Sequence, residues 1–168
     1  MLLAMSTLIA SFGVTILFGA PYVGTNKRDA RNMLEFARIK RGESVLDIGS
    51  GLGTIPIVAG CEFGAAKVHG IEMNPFLVVL SRIRAKRAGV EVDISRKNAY
   101  TAQIPRADVI ALYLLPRMMD RLKPQLASKL DPGARIVSRG FQFSHISPRE
   151  VKTIGNQHFY LYHAGDLM

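Results

Sequence analysis

The chain has 168 residues, 48% of them apolar and 21% charged, with a mean hydropathy of +0.15. That length holds one compact domain and excludes two domains with a linker. The apolar fraction excludes disorder, 15 Gly and 8 Pro without a period exclude a collagen-like chain, and a single Cys excludes a disulfide scaffold. Cys61 is expected as a small buried hydrophobe in a reducing compartment. Twenty-two Lys+Arg against 13 Asp+Glu leave a charge of +9 and a pI near 10.1, which points to a polyanionic neighbour, either nucleic acid or an anionic membrane face.

Residues 1–20 carry no charged side chain, and the first cation is Lys27. The stretch reaches the roughly 20 residues that a helix needs to span hydrocarbon. Ser6, Thr7, Ser11, Gly13, Thr15 and Gly19 dilute it, so an interfacial helix, or a helix packed on the domain or on another copy, competes with a membrane anchor. The anchor is the reading adopted. A cleaved signal peptide is disfavoured, because there is no basic region before the apolar run and Phe18 and Pro21 do not suit a cleavage site. Lys27, Arg28 and Arg31 then place the domain of residues 21–168 on the cytoplasmic face.

Residues 27–40 carry Ala30, Met33, Leu34 and Ala37 at helical spacing and predict an amphipathic helix ended by Gly42. SVLDI at 44–48 is a short buried strand running into glycines, and a helix over 54–63 follows, with Pro56 tolerated in its first turn. A strand over 66–72, a helix over 75–88 and a short strand over 91–95 come next. A continuous apolar strand over 107–115 precedes a helix over 117–130, a strand over 134–141 and a last strand over 158–163. Strands that alternate with helices and are apolar along their whole length imply a parallel sheet covered on both faces. The expected class is therefore α/β, doubly wound, with no internal repeat.

Asp47-Ile48-Gly49-Ser50-Gly51-Leu52-Gly53-Thr54 places a glycine-rich turn between the first strand and its helix, where open sheets bind ligands. Gly49, Gly51 and Gly53 make G-x-G-x-G, whereas a dinucleotide fingerprint needs G-x-G-x-x-G, so a pyrophosphate cradle is disfavoured. The second strand ends in Gly70-Ile71-Glu72, about 20 residues on, with a carboxylate where a ribose diol is held.

The DIGSGLG loop, the acidic end of HGIE and Asn98-Ala99 after the third strand resemble the three cofactor stations of a class I S-adenosylmethionine-dependent methyltransferase. Pro21-Tyr22-Val23-Gly24-Thr25, Asn74-Pro75 followed by SRIRAKRAGV, then LYLLP and RIVSRGFQF narrow the resemblance. They are similar to the small protein-lysine methyltransferases of archaea and bacteria, and to the mitochondrial enzymes that act on the ATP synthase c subunit and the adenine nucleotide translocase. The chain departs from that pattern at Leu52 and Thr54, where the loop usually has an acid and an arginine, and at Asn98, where an Asp is commoner.

The resemblance implies a Rossmann-like sheet, S-adenosylmethionine as cofactor, and protein substrates bearing exposed lysines. It implies that Asp47 orients the loop and attracts the cofactor's ammonium, that Gly49, Ser50 and Gly51 line the approach, and that Glu72 accepts from the ribose. Met73 is expected against the adenine, Asn98 and Ala99 at its amine edge, and Tyr22 and Thr25 over the methionine end. Each has a competing structural role, with Asp47 and Glu72 as caps of nearby backbone. A lysine of pKa about 10.4 must lose a proton before it attacks, and Tyr113, at the end of the fourth strand, is the catalytic candidate.

No metal is required. His145, His158 and His163 are too scattered for ligand spacing, and His69 is placed in a strand as a structural residue. Arg82, Arg84, Lys86 and Arg87 on one helix, with Arg96 and Lys97 beyond it, form a solvated face or a surface for anionic lipid or nucleic acid. The rival readings are an RNA methyltransferase, against which stand the absence of an Asn/Asp-Pro-Pro-Tyr/Phe motif and of an appended RNA-binding module, and a noncatalytic cofactor-binding protein. The oligomeric state is left open.

Overall fold

A computed structural model describes residues 24–168. The apolar stretch at 1–20 and Tyr22 lie outside the described residues. Helix α1, Lys27–Phe36, begins where Asn26 caps it: Asn26 Oδ1 accepts from the Asp29 amide at 2.8 Å, and Asn26 Nδ2 donates to the Asp29 carboxylate at 2.9 Å. Ala30, Met33, Leu34 and Ala37 are buried beneath it. The helix stops short of residue 40 because Arg38 takes a left-handed backbone, φ 51°, while its guanidinium grips Glu150 with bonds of 2.8 and 2.6 Å.

Then follow β1 Ser44–Ile48, α2 Thr54–Phe63, β2 Lys67–Glu72, α3 Pro75–Arg87, β3 Asp93–Arg96, β4 Val109–Leu112, α4 Pro116–Lys129, β5 Arg135–Arg139, β6 Glu150–Ile154, β7 Gln157–His163 and a closing 3₁₀ turn, Ala164–Leu167. The sheet order is β3-β2-β1-β4-β5-β7-β6. Strands β1 to β5 are parallel, including β3, whose Asp93-Ile94-Ser95-Arg96 has no apolar run, and β7 runs antiparallel to β5 and β6 to β7. Strand β6 is absent from the sequence expectation because Val151, Lys152 and Thr153 are all exposed and leave no apolar run. Its local signal is the two-residue Gly155-Asn156 turn that joins Ile154 to Gln157, with Gly155 at φ 59°.

Each sheet face has its own core. Leu46, Ile48, Ile110, Leu112 and Ile136 pack with Met119, Leu122 and Leu126 of α4. On the other face Val45, Val109, Ala111 and Val137 meet α1 and α2. Cys61 corrects its expectation: it is exposed, because α2 buries Ile55, Val58 and Ala59, and Cys61 lies off that face, its thiol directed to the Ala88 carbonyl. No helix among the described residues is long and apolar enough to cross a membrane.

One ion pair crosses the interior. Arg139, at the end of β5, donates to Asp29 of α1 at 2.7 Å, with the two side chains only 8% and 10% exposed. Its Nε donates to Gln157 at 3.1 Å. Breaking a buried pair leaves an uncompensated charge, so Asp29→Ala should lower unfolding stability by about 3–5 kcal/mol in urea titration. The double variant Asp29→Leu/Arg139→Met should recover much of that loss.

Candidate active site

Sheet order reverses between β1 and β4, so the two strands splay their connections to opposite sides and leave a crevice at their carboxyl ends. Register decides what enters it. Asp47 lies opposite Ala111, Ala111 opposite Val137, and Leu112 opposite Ser138. Alternation of side chains along a strand then sets Asp47, Tyr113 and Arg139 on the face covered by α1. The Arg139 guanidinium carbon stands 4.5 Å from the centre of the Tyr113 ring, and Phe141 stacks near that ring at 6.3 Å.

Thr25, Asp47, Gly49, Ser50 and Tyr113 converge on one pocket, whose wall Leu52, Thr54 and Ile55 complete; it encloses about 330 Å³, part of it open solvent. Gly49, Gly51 and Gly53 have φ of 79°, 53° and 70°, values that side chains with a Cβ rarely adopt, so the loop turns tightly enough to expose its backbone. Gly53 also sits against α3, where an added Cβ would lie 3.0 Å from the Ser81 Cβ.

Glu72 organises the neighbouring part of the site. One carboxylate oxygen accepts from the Met73 and Asn74 amides, both at 2.8 Å, and the other from the Gly51 amide at 2.9 Å. The structural role weighed for Glu72 is therefore realised. A carboxylate has about four acceptor positions, so one remains open on the oxygen facing the loop. Asn98 Oδ1 accepts from the Tyr100 amide at 3.0 Å and keeps a second lone pair. Asn98 is exposed, and Ala99 is half-buried against the α4-side core. Met73 is 37% exposed at the rim. Asn98, Ala99, Glu72 and Met73 do not line the Tyr113 pocket; they flank it across the loop.

Asp47 is buried, and that burial, followed by the nearby Glu72 charge, pushes its carboxyl up to about 8. Ser50 Oγ is buried with no hydrogen-bond partner among the described residues. A deeply placed acid, an orphaned hydroxyl and a backbone cradle fit a ligand that brings a cation and polar groups, as S-adenosylmethionine does. Sequence reasoning passes over Arg139, which, inside the quoted RIVSRGFQF, is marked only by its charge in a buried strand. It places Arg84 on a basic helix face, whereas Arg84 reaches from α3 to the Leu52 carbonyl and lies 3.4 Å from Thr54 Oγ1. Arg84 thus ties down the loop at the two positions where the chain departs from the resembled pattern. Among the described residues no cluster suits a metal ion.

The fold and this site define a class I methyltransferase that uses S-adenosylmethionine. A family model described as the ANTKMT methyltransferase domain matches residues 47–150, and the chain belongs to that family. The chain is 34% identical over 157 residues to a protein-lysine N-methyltransferase of Saccharolobus islandicus, covering 87% of this chain and 94% of that protein. It is 32% identical to the adenine nucleotide translocase lysine N-methyltransferase of Mus musculus, covering 89% of this chain and 65% of that one. The solved structure of an RNA methyltransferase from Salinibacter ruber, in complex with S-adenosyl-L-homocysteine, matches with a TM-score of 0.81 and 35% identity over 84% of this chain and 94% of that one.

Two outcomes test this site. Glu72→Gln presents an NH₂ group to backbone donors and should lower stability by about 1–3 kcal/mol in urea titration, with a parallel loss of cofactor affinity in calorimetry. Because the Asp47 carboxyl rises from its ordinary 3.8 to about 8, the ligand-free fold holds an extra proton between those values. Stability contributed by that proton is present at low pH and is lost as pH rises towards 8. Unfolding titrations from pH 5 to 8.5 should show the decline, and Asp47→Asn should flatten it.

Proposed function

We infer that this protein transfers a methyl group from S-adenosylmethionine to the side-chain amine of lysine in protein substrates. The observation that carries the reading is the single pocket joining Asp47 and the glycine loop to Tyr113, in a chain that matches a protein-lysine N-methyltransferase along nearly its whole length. When bound, the cofactor supplies a methyl group on a cationic sulfur. Gly49 and Gly51 let the backbone approach it, and Asp47 receives its ammonium. Glu72 uses its remaining acceptor position on a ribose hydroxyl, Met73 covers the adenine, and Asn98, beside Ala99, accepts from the exocyclic amine. Thr25 and Ser50 line the methionine end, which Tyr22 is assigned to close.

Tyr113 faces the acceptor. Its phenol oxygen accepts a hydrogen bond from the incoming amine and directs the nitrogen lone pair, while the proton that lysine must lose passes to water. Because Arg139 already lies over the ring, the phenol oxygen, more than the ring face, carries this role. Positioning and exclusion of water supply most of the acceleration in such a transfer.

A second reading, RNA as the methyl acceptor, is favoured by the described activity of the Salinibacter ruber protein and by the net charge of +9. Incubating the purified protein, radiolabelled cofactor and a cell extract, then treating separate portions with protease and ribonuclease, decides between them. Label that resists ribonuclease and returns as methyl-lysine after acid hydrolysis is expected; label lost to ribonuclease would overturn the reading. Absence of cofactor binding in calorimetry would instead favour a noncatalytic protein.

Tyr113→Phe should lower kcat by about tenfold, equivalent to one lost hydrogen bond, and leave cofactor affinity unchanged. The uncharged stretch at 1–20, followed by Lys27, Arg28 and Arg31, supports a place at the cytoplasmic face of a membrane. Fractionation of the full chain beside a form starting at Pro21 tests that placement: the full chain should sediment with membranes and the shorter form less so.

A further inference from the structure

Helix α3 is apolar on two sides. Val78, Ser81 and Ala85 are its buried residues. Phe76, Val79, Leu80 and Ile83 recur at i, i+3, i+4 and i+7, the spacing of one helix face, yet they remain 56%, 54%, 48% and 43% exposed. At about 100° per residue, this second stripe points directly away from the buried one. A solvated helix face carries polar residues there, so a contiguous apolar stripe calls for an occupant.

The rim of the stripe identifies it. Residues 73–90 contain Arg82, Arg84, Lys86 and Arg87 and no Asp or Glu. Arg82 is held at one flank by the Ile94 carbonyl and Arg84 at the other by the Leu52 carbonyl. Lys86 and Arg87 continue along the helix, and Arg96 and Lys97 are exposed at the end of β3. A second copy of this chain seated stripe to stripe would bring Arg82, Arg84, Lys86 and Arg87 of the two helices together, with no acid on either helix. Residues 1–20 are apolar but uncharged and leave the rim unmatched. Nucleic acid matches the rim and offers a base to stack on Phe76, but it leaves the aliphatic row of Val79, Leu80 and Ile83 without an apolar medium to enter. An anionic bilayer matches both parts, since its interface takes apolar side chains to a shallow depth and its headgroups take the cations.

We propose that the outer face of α3 seats on an anionic phospholipid surface, with Phe76, Val79, Leu80 and Ile83 in the interface. The surface belongs to the folded domain, is separate from residues 1–20, and does not depend on what the methyl acceptor is. Phe76 follows Glu72 by four positions, so the seated face adjoins the rim of the cofactor site.

The test uses the full chain with Cys61→Ser and one introduced cysteine, Leu80→Cys, carrying an environment-sensitive fluorophore. Vesicles of phosphatidylglycerol with phosphatidylcholine should shift its emission to the blue, and phosphatidylcholine alone should not. The same fluorophore at Lys129→Cys, exposed on α4, should not respond. Adding Lys86→Gln and Arg87→Gln should raise the lipid concentration needed for the Leu80→Cys response roughly 30-fold, as expected for two lost headgroup contacts. No shift with anionic vesicles, or an equal shift at both positions, would overturn the proposal. So would a blue-shifted signal without lipid, which rises with protein concentration if a second copy covers the face and is constant if residues 1–20 do. A shift produced by RNA and not by vesicles would overturn it as well.

Discussion

The site rests on one carboxylate. Glu72 ends β2 and draws three amides to itself, one from the glycine loop after β1 and two from the turn into α3. Charge-assisted bonds of this kind are stronger than neutral ones, so a single side chain positions the glycine loop and the Met73–Asn74 turn into α3 together. Its charge has a second effect. Asp47 lies on the adjacent strand, already deprived of water, and the Glu72 charge adds to the cost of ionising it. A cation arriving beside Asp47 would remove the penalty that burial imposes.

The Tyr113 wall of the pocket is organised by a different pair. Asp29, fixed by Asn26 at the start of α1, neutralises Arg139 on the sheet face that α1 covers, and Arg139 lies over Tyr113. The same α1 start carries Thr25 at the pocket wall. Tyr113 is thus braced by the element whose start lines the same pocket, so the orientation of the phenol and the start of α1 are coupled through a buried ion pair. Burying such a pair is no sure gain in stability, since desolvation offsets the attraction; its value here is the placement it imposes.

Much of this was legible in the residues. The loop glycines, the acid about twenty residues on and the apolar strands announce a covered parallel sheet with a ligand crevice, because each is a local requirement: tight turns need glycine, and strands buried on both faces need continuous apolar side chains. Helix boundaries read well where a cap is local, as at Asn26 and Asn74, and poorly where a distant partner sets the end, as Glu150 does through Arg38. Cys61 was misplaced because burial depends on which side of α2 meets the sheet, and α2 is too uniformly apolar to declare a side.

Sequence by itself determined the class of fold, the cofactor cradle and the carboxylates beside it, all of which follow from short-range spacing. Tertiary structure alone decided which long-range partners those residues find. Strand β6 exists because β7 offers an edge, with no apolar run of its own. Arg139 became part of the site because register places it beside Tyr113, and Arg84 because α3 lies against the loop. The spacing of α3 alone does not say which of its two apolar sides is buried. Only the packing of Val78, Ser81 and Ala85 against the domain shows that Phe76, Val79, Leu80 and Ile83 face outward, since a helix with two apolar sides can bury just one of them against a single sheet.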